Sequence, residues 1–141
     1  ASPWYLINDQ VPERIKAHNP NTKVIVILRN PSDVAFANFV HQIRDRAESL
    51  SVEQIEEVFN PEHYKVKNLH PFASHLRLPE YSKHLPAYLK VFDPSALHIM
   101  IYEEFLSDRS KAVGELFEFL GLSQDVPIDV NKRVNISGMP K

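Results

Sequence analysis

The amino-acid sequence predicts an α/β fold in which buried strands alternate with helices. Residues 23–29 (KVIVILR) and 97–102 (LHIMIY) are short apolar runs, and such runs without polar alternation are typical of strands buried on both faces of a parallel sheet. Segments with helical periodicity lie before and after each run, which is the order expected when helices flank a parallel sheet. We therefore predict an incomplete parallel sheet of two or three strands with flanking helices.

Composition is that of one globular domain, which we expect to occupy residues 1–141. Hydrophobic residues make up 43% of the chain and charged residues 24%, as is usual for soluble proteins. The formal net charge of -2 gives no electrostatic reason to expect binding to nucleic acid or to an anionic membrane. No apolar run approaches the roughly 20 residues that a membrane helix needs, so we expect a soluble protein.

Glycine is scarce, and this limits how the chain can bind a nucleotide. Its three glycines are Gly114, Gly121 and Gly138, so neither G-x-x-x-x-G-K-[ST] nor G-x-G-x-x-G occurs. Only glycine lets a loop backbone close tightly around phosphates. If the chain binds a nucleotide, we expect it to supply only part of the site.

Capping residues predict where the helices begin and end. Residues 11–20 suit a short helix, with Pro12 in its first turn and Pro20 beyond its end. Further helices are predicted over residues 51–59 and 81–92, whereas residues 61–79 lack periodicity and suggest a long surface loop. A last helix is predicted to begin at Ser107 or Asp108 and to end at Gly121.

A helix is also predicted directly after the first strand. Asn30 is a suitable N-cap, Pro31 suits the first helical position, and the helix should continue to about Glu48. Its apolar residues Phe36, Phe39, Val40 and Ile43 predict the face that packs on the core.

Arg29 stands where this buried strand ends and the helix begins, a common place for ligands in open α/β sheets. Free N–H groups and the partial positive charge of a helix N-terminus favour a phosphate or sulfate, and a guanidinium can bind such an anion through two hydrogen bonds. Arg29 could equally pair with Asp33 or another acid and have no ligand. The residues alone leave both interpretations open.

His41 is the second candidate, because it shares a helix face with Ala37 and Arg44 at spacing i, i+4, i+7. It could act as a general base or hydrogen-bond an anion. The alternative is a half-exposed histidine that packs against a loop.

Metal binding is not predicted, since the chain has no cysteine and its histidines form no H-E-x-x-H motif. The C-terminal NKRVNISGMPK contains Ser137, Gly138 and Lys141, and loops of this composition can surround a phosphate. A frayed basic terminus is the alternative.

Five segments in this order resemble the PAPS-dependent sulfotransferases, especially bacterial members and Golgi glycosaminoglycan enzymes. The first two, SPWYL and VPERIKAHNPNTKVIVILRNPSDVAFANF, are similar to that family's first segment and 3'-phosphate motif. The others are EYSKHLPAYLKVFDPSALHIMIYEEFL, AVGELFEFLGL and NISGMPK. Together they span nearly the whole chain.

The resemblance implies a P-loop-NTPase-like, three-layer sulfotransferase fold that transfers sulfonate from PAPS to a hydroxyl or amine of a small molecule or glycan. It implies that Arg29 binds the 3'-phosphate of PAPS, that His41 lies near the acceptor, and that Ser137, Gly138 and Lys141 contact the phosphoadenosine end. The likeness to bacterial members, together with the lack of cysteine, leads us to expect a bacterial, cytoplasmic protein without a metal.

Two features depart from the family pattern. Ala37 stands where family members usually have a serine that assists the arginine, and Val34 replaces a frequent arginine. The loop that binds the 5'-phosphosulfate precedes the SPWYL segment in the family. We therefore expect residues 1–141 to be the C-terminal portion of a sulfotransferase domain, with little or no activity alone.

The alternative function is that of a non-catalytic, degenerate module that has kept the fold for binding a partner. An uncovered strand edge would then favour self-association. A small-molecule kinase is a weaker third hypothesis, because the sequence has neither a lysine-containing phosphate loop nor an acid that could hold magnesium at a strand end.

Overall fold

The computed structural model describes residues 3–44 and 77–131. Its helices are α1 (Val11–His18), α2 (Pro31–Arg44), α3 (Tyr81–Val91), α4 (Tyr102–Ser107) and α5 (Arg109–Leu120). Its strands are β1 (Val24–Leu28) and β2 (Leu97–Ile101), and single 3-10 turns cover Pro3–Tyr5 and Pro94–Ala96. The helix predicted over 51–59 and most of the loop predicted over 61–79 lie outside the described residues.

The two strands pair in parallel, as the sequence predicts. Their register runs from Val24 opposite Leu97 to Leu28 opposite Ile101. Since parallel strands cannot be joined by a tight turn, the chain between them has to cross from one end of the sheet to the other, and it contains α2 and α3. The predicted α/β class is confirmed.

Burial on both faces of β1 was predicted, and this prediction is wrong. Val26 is 8% exposed, whereas Ile25 and Ile27 are 39% and 59% exposed. Side chains alternate between the two faces of a strand, so β1 has one face that is better covered than the other. A continuous apolar run does not reveal this, because every position looks suited to the interior.

The chain divides into two compact units, the first comprising residues 1–8, 30–84 and 138–141 and the second residues 9–29 and 85–137. The prediction that residues 1–141 form one domain stays a prediction.

In the first unit, α2 buries Ala35, Asn38 and Phe39, and Phe39 is fully inaccessible to solvent. Phe36 is 41% exposed, so its predicted place in the core is wrong. The buried face of α2 instead includes Ala35 and Asn38. A prediction from hydrophobicity alone does not find a buried asparagine.

The second unit contains the sheet and α5, whose two ends are capped as the sequence predicts. The Asp108 carboxylate accepts a hydrogen bond of 3.0 Å from the Lys111 N–H at the start of the helix. At its end, Gly121 adopts the left-handed conformation with φ 73°. The Lys23 ammonium donates to the Phe119 carbonyl and lies 5.3 Å from the centre of the Phe119 ring. A cation at this end complements the helix dipole and ties α5 to the start of β1.

An aromatic pair packs where α3 ends in this unit. Tyr88 and Phe92 are buried with ring centres 6.2 Å apart, and burial raises the pKa of the Tyr88 hydroxyl. Asp93 follows and accepts hydrogen bonds from the Ser95 hydroxyl and N–H. These bonds stabilise its charged form and lower the pKa of the Asp93 carboxyl, which caps the turn before β2.

The glycines at positions 114 and 121 offer a matched test of the α5 end. Gly121→Ala should lower the free energy of unfolding by about 1 kcal/mol, because alanine is strained in the left-handed conformation. Gly114→Ala should raise it by roughly 0.5–1 kcal/mol, since alanine is favoured inside a helix. The added methyl group would meet Gln124 Oε1 at an ordinary 3.7 Å. Urea denaturation measures the free energy of unfolding of both variants. If the two substitutions change it in the same direction, the assigned end of α5 is contradicted.

Candidate functional site

The parallel register brings Arg29 and Tyr102 together at the carboxyl edge of the sheet. Leu28 and Ile101 are paired, and Arg29 and Tyr102 are the next residue after each strand. The Arg29 guanidinium carbon lies 5.3 Å from the centre of the Tyr102 ring, within the range of a cation–π contact. The sheet thus fixes a positive charge at the edge where α/β sheets commonly bind ligands.

Tyr102 is a site residue that the sequence-based predictions missed. They placed it at the end of the second strand, whereas β2 ends at Ile101 and Tyr102 begins α4. Its ring stacks on that of Phe105, with ring centres 6.3 Å apart and an interplanar angle of 24°. Aligning the last residues of the two apolar runs would have placed residue 102 beside residue 29, but the sequence alone does not fix this register.

Asn30 caps α2 as predicted, and in doing so it occupies the N–H donors of the first turn. Its side-chain oxygen accepts hydrogen bonds from the Ser32 N–H at 3.0 Å and the Asp33 N–H at 3.4 Å. The Val34 N–H donates to the Asn30 carbonyl at 3.1 Å, and proline at position 31 has no N–H. The expectation of free N–H groups is therefore wrong for residues 32–34, whose N–H groups have partners within the chain.

The face of α2 that carries His41 is exposed. Both Ala37 and His41 are exposed, whereas Ala35 and Phe39 are buried on another side of the helix. This confirms that the predicted face is separate from the core, and it leaves His41 accessible to a ligand. The side chain of Arg44 lies outside the described residues, as do Ser137, Gly138 and Lys141, so their predicted roles stay predictions.

A polar depression of about 600 Å³ opens at the start of α5. Its arginine, Arg109, donates to the Val130 carbonyl at 3.4 Å and to the Asn131 side chain at 3.5 Å. These bonds hold residues 130 and 131 against α5.

In residues 3–44 and 77–131, no cluster of His, Asp and Glu could hold a metal ion. No helix in these residues is long and apolar enough to cross a membrane.

The sequence of this chain matches a known family over most of its length. Residues 8–139 match the family described as sulfotransferase domain. The chain belongs to this family. The predicted resemblance is confirmed, and PAPS is the sulfonate donor that members of the family generally use.

Individual sulfotransferases support the same assignment. The chain is 32% identical over 128 residues to human heparan sulfate glucosamine 3-O-sulfotransferase 6, and 27% identical over 120 residues to the mouse bifunctional heparan sulfate N-deacetylase/N-sulfotransferase 4. These matches include 89% and 84% of this chain but 35% and 14% of the relatives. The chain therefore spans about a third or less of the length of these two curated relatives.

A solved sulfotransferase confirms the predicted sulfotransferase fold. The crystal structure of a sulfotransferase from Alicyclobacillus acidocaldarius superposes with a TM-score of 0.77 at 28% sequence identity. The match includes 94% of this chain and 53% of that one.

PAPS carries phosphate groups, and the described residues fit one of them in part. The five N–H donors of a guanidinium lie in one plane, a geometry that suits two hydrogen bonds to phosphate oxygens. Arg29 is half-buried, which reduces screening of its charge by water. The capped first turn of α2 adds no N–H donor, so the fit depends on the arginine side chain.

Proposed function

We propose that the protein acts in sulfonate transfer from PAPS to a hydroxyl or amine of a glycan or small molecule, with Arg29 binding the 3'-phosphate of PAPS. One observation carries this proposal: Arg29 is held on the Tyr102 ring at the carboxyl edge of a parallel sheet. The family assignment supplies the chemistry, since PAPS provides the sulfonate group when it is bound.

The proposed affinity for the 3'-phosphate comes mainly from one arginine. A charge-assisted hydrogen bond is worth about 1.5–3 kcal/mol. Ala37 stands where family members usually have an assisting serine, and its methyl group donates no hydrogen bond. We therefore propose weaker binding of PAPS than in family members that have the serine.

The remaining predicted residues complete the proposal. His41, exposed on α2, would take the proton that the acceptor hydroxyl or amine loses. Ser137, Gly138 and Lys141 would contact the phosphoadenosine end, as the resemblance implies. The names of the curated relatives, which include glucosamine 3-O-sulfotransferases, support a glycan as acceptor.

Residues 1–141 contain no glycine-rich phosphate loop, and transfer requires donors that stabilise charge on the sulfonate. We propose that this polypeptide by itself binds the phosphoadenosine group but has little or no transfer activity. A bacterial, cytoplasmic location stays a prediction.

Calorimetry with 3'-phosphoadenosine 5'-phosphate (PAP) tests the proposed role of Arg29. Arg29→Ala should weaken PAP binding by about 10- to 100-fold, because it removes the charge-assisted bonds to the 3'-phosphate. The PAP affinity of Arg29→Lys should lie between that of the unmodified protein and that of Arg29→Ala. An ammonium group cannot bind two phosphate oxygens at once as a planar guanidinium does. Adenosine 5'-monophosphate lacks the 3'-phosphate, so its affinity should be the same for all three proteins.

Arg14→Ala is the matched control, because Arg14 is an exposed arginine of the same unit and its loss changes the net charge equally. This variant should bind PAP as the unmodified protein does. Absence of PAP binding at millimolar ligand, or equal weakening by both substitutions, would contradict the proposal.

A second candidate function, that of a non-catalytic module that self-associates, is favoured by the apolar surface of the sheet. On one face of the sheet Ile25 and Ile27 of β1 are 39% and 59% exposed, and on the opposite face Ile99 and Ile101 of β2 are 39% and 37% exposed. Parallel sheets are normally covered on both faces, and exposed apolar strands promote association. A second copy of this chain is the proposed partner.

Light scattering after size-exclusion chromatography tests this second candidate. The unmodified protein should elute as a dimer, and Ile27→Lys should make it monomeric because a lysine at the interface would lose its hydration. Leu89→Lys, at an equally exposed position on α3, should leave the dimer intact. A monomer at all concentrations would rule out self-association.

A further inference from the structure

We propose that Tyr102 is a positioning residue that holds the Arg29 guanidinium ready for a phosphate. This inference rests on the proposed function, in which Arg29 binds the 3'-phosphate of PAPS. It adds a residue that follows the second strand to a site that sequence motifs assign to the first strand and the helix after it.

The strand register makes the contact a consequence of the fold. Neighbouring strands lie about 4.8 Å apart, and Arg29 and Tyr102 each follow a residue of the pair Leu28–Ile101. Their backbones therefore leave the sheet side by side and in the same direction. The Arg29 guanidinium carbon then lies 5.3 Å from the ring centre of Tyr102.

The ring is itself held in place. Tyr102 is half-buried, and its ring stacks against Phe105 at 6.3 Å between centres. They are three positions apart along α4, so they lie on one face of that helix. Phe105 thus packs against the same ring that the Arg29 guanidinium contacts.

A fixed guanidinium binds an anion more tightly than a mobile one. Arginine has many rotamers, and ordering such a side chain only when the ligand arrives weakens binding by roughly two- to tenfold. A cation–π contact reduces this cost, because it favours the bound conformation before the phosphate is present. The ring acts through its face, so the tyrosine hydroxyl is not needed for this role.

Two substitutions separate the ring from the hydroxyl. Tyr102→Phe keeps the ring and should bind PAP within about twofold of the unmodified protein, whereas Tyr102→Leu should bind it about three- to tenfold more weakly. Adenosine 5'-monophosphate, which lacks the 3'-phosphate, should bind all three proteins equally. Calorimetry measures these affinities.

The other outcomes overturn the proposal. If Tyr102→Phe loses as much PAP affinity as Tyr102→Leu, the hydroxyl acts on the ligand and the positioning role is wrong. If neither substitution weakens PAP binding, the ring does not position Arg29. If Tyr102→Leu weakens PAP and adenosine 5'-monophosphate equally, Tyr102 has a general structural role.

A measurement without ligand distinguishes failure of this inference from failure of the proposed function. The side-chain proton resonances of Arg29 should be displaced by the ring current in the unmodified protein and in Tyr102→Phe, and should return towards ordinary values in Tyr102→Leu. If the Arg29 resonances of the unmodified protein are not displaced, the positioning role is wrong, whether or not the protein binds PAP. Displaced resonances without PAP binding refute the proposed function, and with it a role in phosphate binding, but leave the contact established.

Discussion

The parallel pairing of β1 with β2 is the constraint on which the candidate site depends. It places the carboxyl ends of both strands at one edge, so that Arg29 and Tyr102 leave the sheet together. At the opposite edge, Lys23 precedes β1 and binds the last turn of α5. One strand therefore begins at a cation that caps a helix and ends at a cation that contacts a ring.

The chemistry at the carboxyl edge comes from side chains more than from the backbone. Asn30 uses its amide oxygen to cap α2, which stabilises the helix but occupies the donors that would otherwise face an anion. Arg29 is therefore the described side chain that we propose donates hydrogen bonds to the phosphate. This explains why the orientation of a single guanidinium, and the ring that holds it, should matter for affinity.

Local signals in the sequence predicted the strands, the caps at Asn30, at Ser107 or Asp108, and at Gly121, and the separation of the His41 face from the core, because each depends on a few neighbouring residues. The predictions failed where distant contacts decide. Phe36 is exposed although it is apolar, and Asn38 is buried although it is polar, since the packing of α2 selects its buried face. Tyr102 was missed because its role depends on strand register, which no local pattern contains.

Disulfide trapping tests the register most directly, and the chain has no cysteine of its own to interfere. Ile27 and Met100 are paired, and the spacing of adjacent strands is short enough for a disulfide between paired residues. A protein with Ile27→Cys and Met100→Cys should form the disulfide under mild oxidation, as mass spectrometry would detect. One with Ile27→Cys and Ile101→Cys should not, because those side chains point to opposite faces. Efficient cross-linking of the second pair, with none of the first, would contradict the register and the site built on it.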